Sequence, residues 1–185
     1  MAQRIITISG YPASGKTKVG SLLADETGWE IITIGALQRK MAAKLGMDTI
    51  QFNVFSDSHP GIDAELDEEI RKIGESREDI IVDSRLAWHW IPGSLKVFIT
   101  VDLDVGALRV LDDKSRKAEM YDSKDEAKSA LTHRICLERE RLISKYGVDY
   151  SDFSHYDLVI DSSALKPEEV CRMIIQKAKE LKLFF

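Results

Sequence analysis

A stretch near the start of the chain has the composition of a phosphate-binding loop. Its residues are Gly10, Tyr11, Pro12, Ala13, Ser14, Gly15, Lys16 and Thr17. They match the pattern G-x-x-x-x-G-K-[ST], in which glycines turn the backbone so that its N–H groups converge on an anion. Lys16 can then reach the β- and γ-phosphates, and the Thr17 hydroxyl can bind Mg²⁺. The stretch therefore predicts a nucleotide donor such as ATP, with Mg²⁺ as the accompanying ion.

An acidic partner for the ion is expected at the end of a neighbouring strand. Asp83 directly follows the apolar run Ile80–Val82. A carboxylate at that place can hold Mg²⁺ through water, beside the hydroxyl of Thr17. We therefore assign Asp83 to the metal site, with a simple turn aspartate as the alternative.

The rest of the chain narrows the class of phosphate-loop protein. A guanine-reading Asn/Thr-Lys-x-Asp segment, which switch GTPases need, is missing from the sequence. Motors and helicases of this superfamily are usually larger. Small-molecule kinases remain, and their chemistry depends on alignment and on arginines that neutralise the transferring group. The candidate arginines are Arg39, Arg85, Arg134, Arg139 and Arg141.

The spacing of three of these arginines depends on one predicted helix. If Lys124–Tyr146 is helical, Arg134 and Arg141 are seven residues apart and share a face, whereas Arg139 points away from both. Glu138 falls between the pair, so a solvated ladder of salt bridges is the alternative. For Arg39, the alternative is a surface position on a helix that begins near Ala36.

The elements that position these groups follow an alternating pattern. Short apolar runs predict strands at Ile5–Ser9, Ile31–Ile34, Ile80–Asp83, Val97–Val101 and Leu158–Asp161. Helical patterns begin at Gly15 and at Pro167, with apolar residues at helical spacing. Strands that are apolar along their whole length indicate a parallel sheet covered on both faces. The prediction is a doubly wound α/β fold with five strands.

Two segments are longer than a single crossover requires. Residues 35–78 and 112–149 are rich in charged side chains and are predicted to extend beyond the carboxyl ends of the strands, where such sheets bind ligands. We therefore predict one domain over residues 1–185 with two excursions.

Composition excludes several other classes. The chain has 185 residues, of which 44% are hydrophobic and 31% charged, and its formal net charge is −5. The acidic balance argues against nucleic acid and anionic membranes as partners. The two cysteines, Cys136 and Cys171, are too few for a disulfide framework. Because the sequence shows neither a secretion signal nor a hydrophobic stretch long enough to span a membrane, the expected location is the cytoplasm.

Several blocks of sequence, in order, resemble the archaeal type of cytidylate kinase. They are residues 5–17, Gly35–Arg39, Ile62–Asp67, Asp83–Ala87, Tyr146–Asp149 and Tyr156–Ile160. The resemblance implies a nucleoside monophosphate kinase within the P-loop NTPase fold, with strand order 2-3-1-4-5, a monophosphate-binding excursion and a lid. It also implies transfer of the γ-phosphate of ATP to CMP or dCMP.

The same resemblance implies roles for single residues. Arg39 and Arg85 match positions that hold the acceptor phosphate, and Arg134 and Arg141 match positions that close with the lid. Asp63 and Asp67 match acidic positions near the pyrimidine, and Arg109 a position near the donor nucleotide or the lid hinge. The sequence departs from the family at four positions, which are Tyr11, Ile34, Gly106 and Asp113.

Two other functions stay open at this point. A kinase of the same fold could phosphorylate a different small acceptor, and for a hydroxyl acceptor Asp83 is the well-placed candidate base. A nucleotide-binding regulatory protein without phosphate transfer is the other alternative. The sequence is compatible with a monomer and with a homodimer.

Overall fold

The computed structural model describes residues 4–47, 51–52, 55, 59, 61–76, 79–112 and 121–183. Parts of the two predicted excursions lie outside these ranges. Asp113, one of the departures from the family, also lies outside the described residues. No helix in the described ranges is both long and apolar enough to cross a membrane. The thiols of Cys136, on the surface, and Cys171, in the core, are both free.

A parallel five-stranded sheet forms the centre of the molecule. The strands are β1 (Ile5–Gly10), β2 (Glu30–Thr33), β3 (Ile80–Asp83), β4 (Leu95–Thr100) and β5 (Leu158–Asp161). Their order in the sheet is β2-β3-β1-β4-β5, with β1 between β3 and β4. The doubly wound α/β class and the strand order 2-3-1-4-5 are thereby confirmed.

Helices cover both faces of this sheet. They are α1 (Lys16–Thr27), α2 (Ile34–Lys44), α3 (Gly61–Ser76), α4 (Ala87–Trp90), α5 (Leu103–Asp112), α6 (Lys124–Tyr146) and α7 (Pro167–Glu180). Side chains from α1 and α7 pack with Ile6 and Ile8 on one face. Those of α2, α3 and α4 pack with Ile5 and Ile80 on the other. Because successive strand residues point to opposite faces, β1 supplies both cores.

The boundary between β2 and α2 differs from the prediction. The sequence predicts that β2 ends at Ile34, whereas Ile34 is the first residue of α2. The reason is the Thr33 side chain, which accepts a hydrogen bond from the Ala36 N–H at 3.1 Å and so caps the helix. The other shifts are small: β4 covers Leu95–Thr100 rather than Val97–Val101, and Gly15 precedes α1 instead of starting it.

Both segments predicted as excursions contain helices. The first holds α2 and α3, which cover one face of the sheet, and the second holds α6. The helix α6 covers the predicted Lys124–Tyr146: Ser123 caps its start by accepting from the Glu126 N–H, and Gly147, with φ of 67°, ends it. Its N-terminal half packs on α5 through Ala127 and Leu131. The C-terminal half therefore extends from a fixed base.

The crossing from β1 into the phosphate-binding loop leaves no space for a side chain at Gly10. A Cβ atom there would lie 2.3 Å from the carbonyl oxygen of Ile99 in β4, and the φ angle of Gly10 is 151°. Only glycine fits this close approach of two backbones without strain.

We expect Gly10→Ala to lower the free energy of unfolding by about 2–4 kcal/mol, because β1 and β4 must separate to admit the methyl group. Urea unfolding followed by circular dichroism measures this change. Gly61→Ala is the matched control, since a Cβ at Gly61 meets nothing within 4 Å. Equal stability of the two variants would contradict the argument.

Candidate active site

The phosphate-binding loop joins the end of β1 to the start of α1. Gly15 takes a left-handed conformation with φ of 83°, and Ala13 does so with φ of 63°. These turns bring Lys16 and Thr17 into the first turn of α1, where backbone N–H groups have no partner within the helix. The loop and the helix dipole therefore present positive potential at the carboxyl edge of the sheet.

Hydrogen bonds fix the rear of this loop to the sheet. The Tyr11 N–H donates to the Ile99 carbonyl at 3.1 Å. This N–H group is therefore engaged with β4 and is not directed at a ligand. The Tyr11 ring packs edge-on against Phe98, with 5.1 Å between the ring centroids. The bulky residue at this departure from the family therefore anchors the loop in an aromatic cluster.

Arg109 and Ser162 hold the other side of the loop. The Arg109 guanidinium donates to the carbonyls of Ala13 at 3.3 Å and Ser162 at 2.6 Å. The Ser162 Oγ lies 3.0 Å from the Ser14 carbonyl oxygen and 2.9 Å from that of Thr100. Sequence reasoning assigns Arg109 to this region but misses Ser162, because a serine after a strand carries no distinctive signal.

A cavity of about 170 Å³ lies beside the loop at this point. Its lining includes Ser14, Gly15, Arg109, Ser162 and Pro167. The cavity therefore borders the phosphate-binding loop, the start of α1 and the start of α7.

Gly106, a second departure from the family, has no structural explanation in the packing around it. A Cβ at Gly106 would lie 3.4 Å from the Leu131 side chain and 3.5 Å from Ala13, which are ordinary van der Waals contacts.

Thr17 and Asp83 meet as the sequence predicts. The Thr17 hydroxyl donates to Oδ2 of Asp83 at 2.9 Å, and Asp83 is only 7% exposed. A hydroxyl beside a carboxylate fits Mg²⁺, which uses few protein oxygens and takes its other ligands from phosphates and water. The described residues contain no group of three or more acidic, histidine or cysteine side chains that could hold a metal ion.

Lys16 lies within the field of several charged groups. Burial lowers its pKa, and the Arg85 guanidinium lowers it further, whereas the carboxylates of Asp83 and Glu138 act in the opposite direction. Arg134 contributes in the same direction as Arg85. Residues from the loop, from the end of β3 and from α6 therefore share one electrostatic site.

Glu138 connects two of the predicted arginines. Its carboxylate accepts hydrogen bonds from Nε and Nη2 of Arg85, both at 2.6 Å, and from Nε of Arg134 at 3.1 Å. We call these three residues the Glu138 cluster. Arg134 and Glu138 form the salt bridge along the helix that their spacing allows. Arg85, by contrast, lies 53 residues before Glu138, two residues after the end of β3.

A second set of contacts ties α6 to α3. Asp63 accepts from Nη2 of Arg141 at 2.8 Å and from Nζ of Lys145 at 2.5 Å. The Tyr146 hydroxyl donates to Asp67 at 2.6 Å. We call these five residues the α3–α6 latch. Arg134 and Arg141 share a helix face as predicted, yet the structure gives them different carboxylate partners.

A cavity of about 200 Å³ lies between the Glu138 cluster and the latch. Its polar lining comprises Gln38, Asp63, Asp67, Ser84, Arg85, Glu138 and Arg141. Ile34, a third departure from the family, supplies part of an apolar wall. Arg39 does not line this cavity: it is exposed, and its Nη1 lies near Gly35 at the start of α2. Gln38 and Ser84 are lining residues that sequence reasoning does not identify.

Comparison with known proteins assigns the chain to a family. The model of the cytidylate kinase-like family matches residues 5–164. The chain belongs to this cytidylate kinase-like family. It is 30% identical to cytidylate kinase of Methanobrevibacter smithii, over 95% of this chain and 98% of the relative. It is 32% identical to cytidylate kinase of Methanocella arvoryzae, over 96% and 98%. The resemblance inferred from the sequence is thereby confirmed.

A solved structure supports the fold of this family member independently. Shikimate kinase from Acinetobacter baumannii, in complex with shikimate, aligns with a TM-score of 0.64 and 16% identity. The alignment covers 98% of this chain and 96% of that chain. At this identity the likeness establishes the P-loop kinase fold.

The α3–α6 latch makes a pH-dependent contribution to stability. Burial alone would raise the pKa of Asp63, but hydrogen bonds from Lys145 and Arg141 outweigh it, so that the pKa lies below its usual value. A lowered pKa in the folded state means that the ionised carboxylate stabilises the fold. This contribution is complete above the unfolded pKa of about 4 and is lost as the pH falls through the folded value.

We expect Asp63→Asn to lower the free energy of unfolding by about 0.5–1 kcal/mol at pH 7, a small value because solvent screens the pair. The difference from the parent protein should shrink as the pH is lowered from about 4 through the folded pKa of Asp63. Urea unfolding at pH 7 and over a series of lower pH values measures it, with Glu65→Gln on the exposed side of α3 as the control. A difference that stays constant with pH would argue against the latch.

Proposed function

We propose that this protein transfers the γ-phosphate of ATP to a nucleoside monophosphate, with CMP or dCMP preferred, and releases ADP and CDP or dCDP. The observation that carries the proposal is the convergence of Lys16, Arg85 and Arg134 on Glu138, beside the 200 Å³ cavity that Arg85 and Glu138 line. Relatives named cytidylate kinase support this type of activity.

The donor side rests on the phosphate-binding loop. Its N–H groups and Lys16 would hold the β- and γ-phosphates, and the cavity beside Arg109 would hold the rest of ATP. Thr17, with Asp83 behind it, would hold the ion. When bound, Mg²⁺ neutralises phosphate charge and holds the phosphate oxygens in place.

The acceptor side rests on Arg85. A guanidinium presents parallel N–H donors that match phosphate oxygens, and Arg85 directs Nε and Nη2 towards the 200 Å³ cavity. We propose that Arg85 binds the acceptor phosphate, that Arg39 assists it at the start of α2, and that Arg134 and Arg141 neutralise the transferring group when α6 closes.

The state of Asp83 favours a phosphate as the acceptor. A hydroxyl acceptor needs a general base, and Asp83 is occupied by the hydrogen bond from Thr17. A phosphate acceptor arrives with its nucleophilic oxygen already charged, so alignment and charge neutralisation suffice.

The acidic residues of the latch support a preference for cytosine. Asp67 lines the cavity, and an ionised carboxylate can only accept hydrogen bonds. The 4-amino group of cytosine is a donor that would pair with it, whereas the carbonyl oxygen of uracil at that position would be repelled. A site built to accept one hydrogen bond discriminates strongly against a ligand that lacks the donor.

Formation of ADP from ATP and Mg²⁺ in the presence of CMP, dCMP, UMP, AMP or GMP tests the proposal. We expect CMP and dCMP to stimulate ADP formation well above a sample without acceptor, and UMP to stimulate it less. Mass spectrometry should find the matching diphosphate. Tight binding of ATP without acceptor-dependent ADP formation would contradict the proposal and favour a regulatory nucleotide-binding protein.

Lys16 should be essential for turnover. We expect Lys16→Ala to lower kcat for CMP by about 100-fold or more, because the transferring phosphoryl group loses its nearest cation. Lys18→Ala is the matched control, since Lys18 is exposed on the same helix. Turnover of Lys16→Ala at the parent rate would exclude the assigned role.

A further inference from the structure

The arrangement at Arg85 leads to an inference that rests on the proposed function. Nε and Nη2 form the edge of a guanidinium that binds a carboxylate or a phosphate through two parallel hydrogen bonds. Glu138 already occupies this edge of Arg85 at 2.6 Å for both atoms. An acceptor phosphate that used the same edge would have to take the place of the carboxylate.

Arg85 is the fixed partner of this pair. Its carbonyl oxygen accepts hydrogen bonds from Ser9 Oγ at 3.1 Å and from Trp88 Nε1 at 2.9 Å, which hold the backbone against β1 and α4. Glu138 lies on α6 between two apolar contacts of that helix, through Leu131 on α5 and through Leu142 on the cluster around Trp88. Displacement of the carboxylate by another anion therefore needs only a change of the Glu138 side-chain rotamer, with the helix in place.

The charges explain why a carboxylate is needed there without substrate. The guanidinium groups of Arg85 and Arg134 both bind the carboxylate of Glu138, which reduces the repulsion between them. A dianionic phosphate bound between the two arginines would reduce this repulsion further, because it carries more negative charge. With or without substrate, the two guanidinium groups therefore share one anion.

We propose that Glu138 is an internal stand-in for the acceptor phosphate, which holds Arg85 and Arg134 in position between turnovers and is displaced when the acceptor binds. It is a positioning residue, since it acts through the arginines. Its cost is a lower affinity for the acceptor, because the phosphate competes with a carboxylate that is already in place. Its benefit is faster release of the diphosphate product, whose phosphate the carboxylate replaces.

The decisive variant is Glu138→Gln, which keeps the shape and removes the charge. We expect the KM for CMP to fall by about threefold to tenfold, since one charge-assisted competitor for a partly exposed site is lost. The kcat should not rise. Orthophosphate should inhibit this variant at correspondingly lower concentrations, in competition with CMP.

Two further variants serve as controls. Glu140→Gln removes the same charge from an exposed position two residues along α6, roughly on the opposite side of the helix. Its KM should equal that of the parent protein. Glu138→Asp keeps the charge but is one methylene shorter, so it competes less well and should lower KM by a smaller factor. Thermal unfolding of each variant confirms that it folds.

The outcomes separate this inference from the proposed function. If the parent protein transfers phosphate to CMP and Glu138→Gln leaves KM unchanged or raises it, the inference is wrong, and Glu138 serves only to order Arg85. If the parent protein transfers no phosphate to any nucleotide, the proposed function fails. Calorimetric titration with orthophosphate then still decides the inference, because the glutamine variant must bind it more tightly than the parent.

Discussion

The concentration of positive charge at one edge of the sheet is the constraint on which the rest of the structure depends. Lys16, Arg85 and Arg134 lie close enough there for their charges to act on one another. Like charges at such separations repel by amounts that the fold must offset when no phosphate is present. Two carboxylates supply that offset: Asp83 closes β3, and Glu138 reaches in from α6.

This requirement explains how a long, largely exposed helix is held against the sheet. The N-terminal half of α6 packs on α5 through Ala127 and Leu131, and its C-terminal half packs through Leu142 and Tyr146 on the cluster of Leu86, Trp88, Phe98 and Tyr150. Charged and polar contacts to Arg85 and to α3 add to this packing. Because such contacts at partly exposed positions contribute little free energy each, the apolar packing sets the direction of α6, and the polar contacts can exchange with other anions.

The donor side is built in the opposite way. The loop is anchored by backbone hydrogen bonds to β4, by the aromatic packing of Tyr11, and by Arg109 and Ser162. At Gly10 the backbones of β1 and β4 approach so closely that no side chain fits. The phosphate-binding loop is therefore held by backbone and buried contacts, whereas the groups around Glu138 are joined by partly exposed ion pairs.

The sequence by itself determined the fold class, the phosphate-binding loop, the pairing of Thr17 with Asp83, and the extent of α6. The fold class, the loop and the helix depend on local patterns of residue type. Thr17 and Asp83 are 66 positions apart, and their proximity follows because the carboxyl ends of neighbouring parallel strands meet at one edge of the sheet. The sequence misplaced the end of β2, because the capping hydrogen bond of Thr33 outweighed the strand preference of Ile34.

The sequence could not determine which carboxylate each arginine contacts. Spacing along α6 suggested only the local contact of Arg134 with Glu138, whereas the contact of Glu138 with Arg85 and that of Asp63 with Arg141 join residues 53 and 78 positions apart. Those pairings were decided by the tertiary structure, since the packing of α6 on α5 and of α3 on the sheet sets which side chains come within hydrogen-bonding distance.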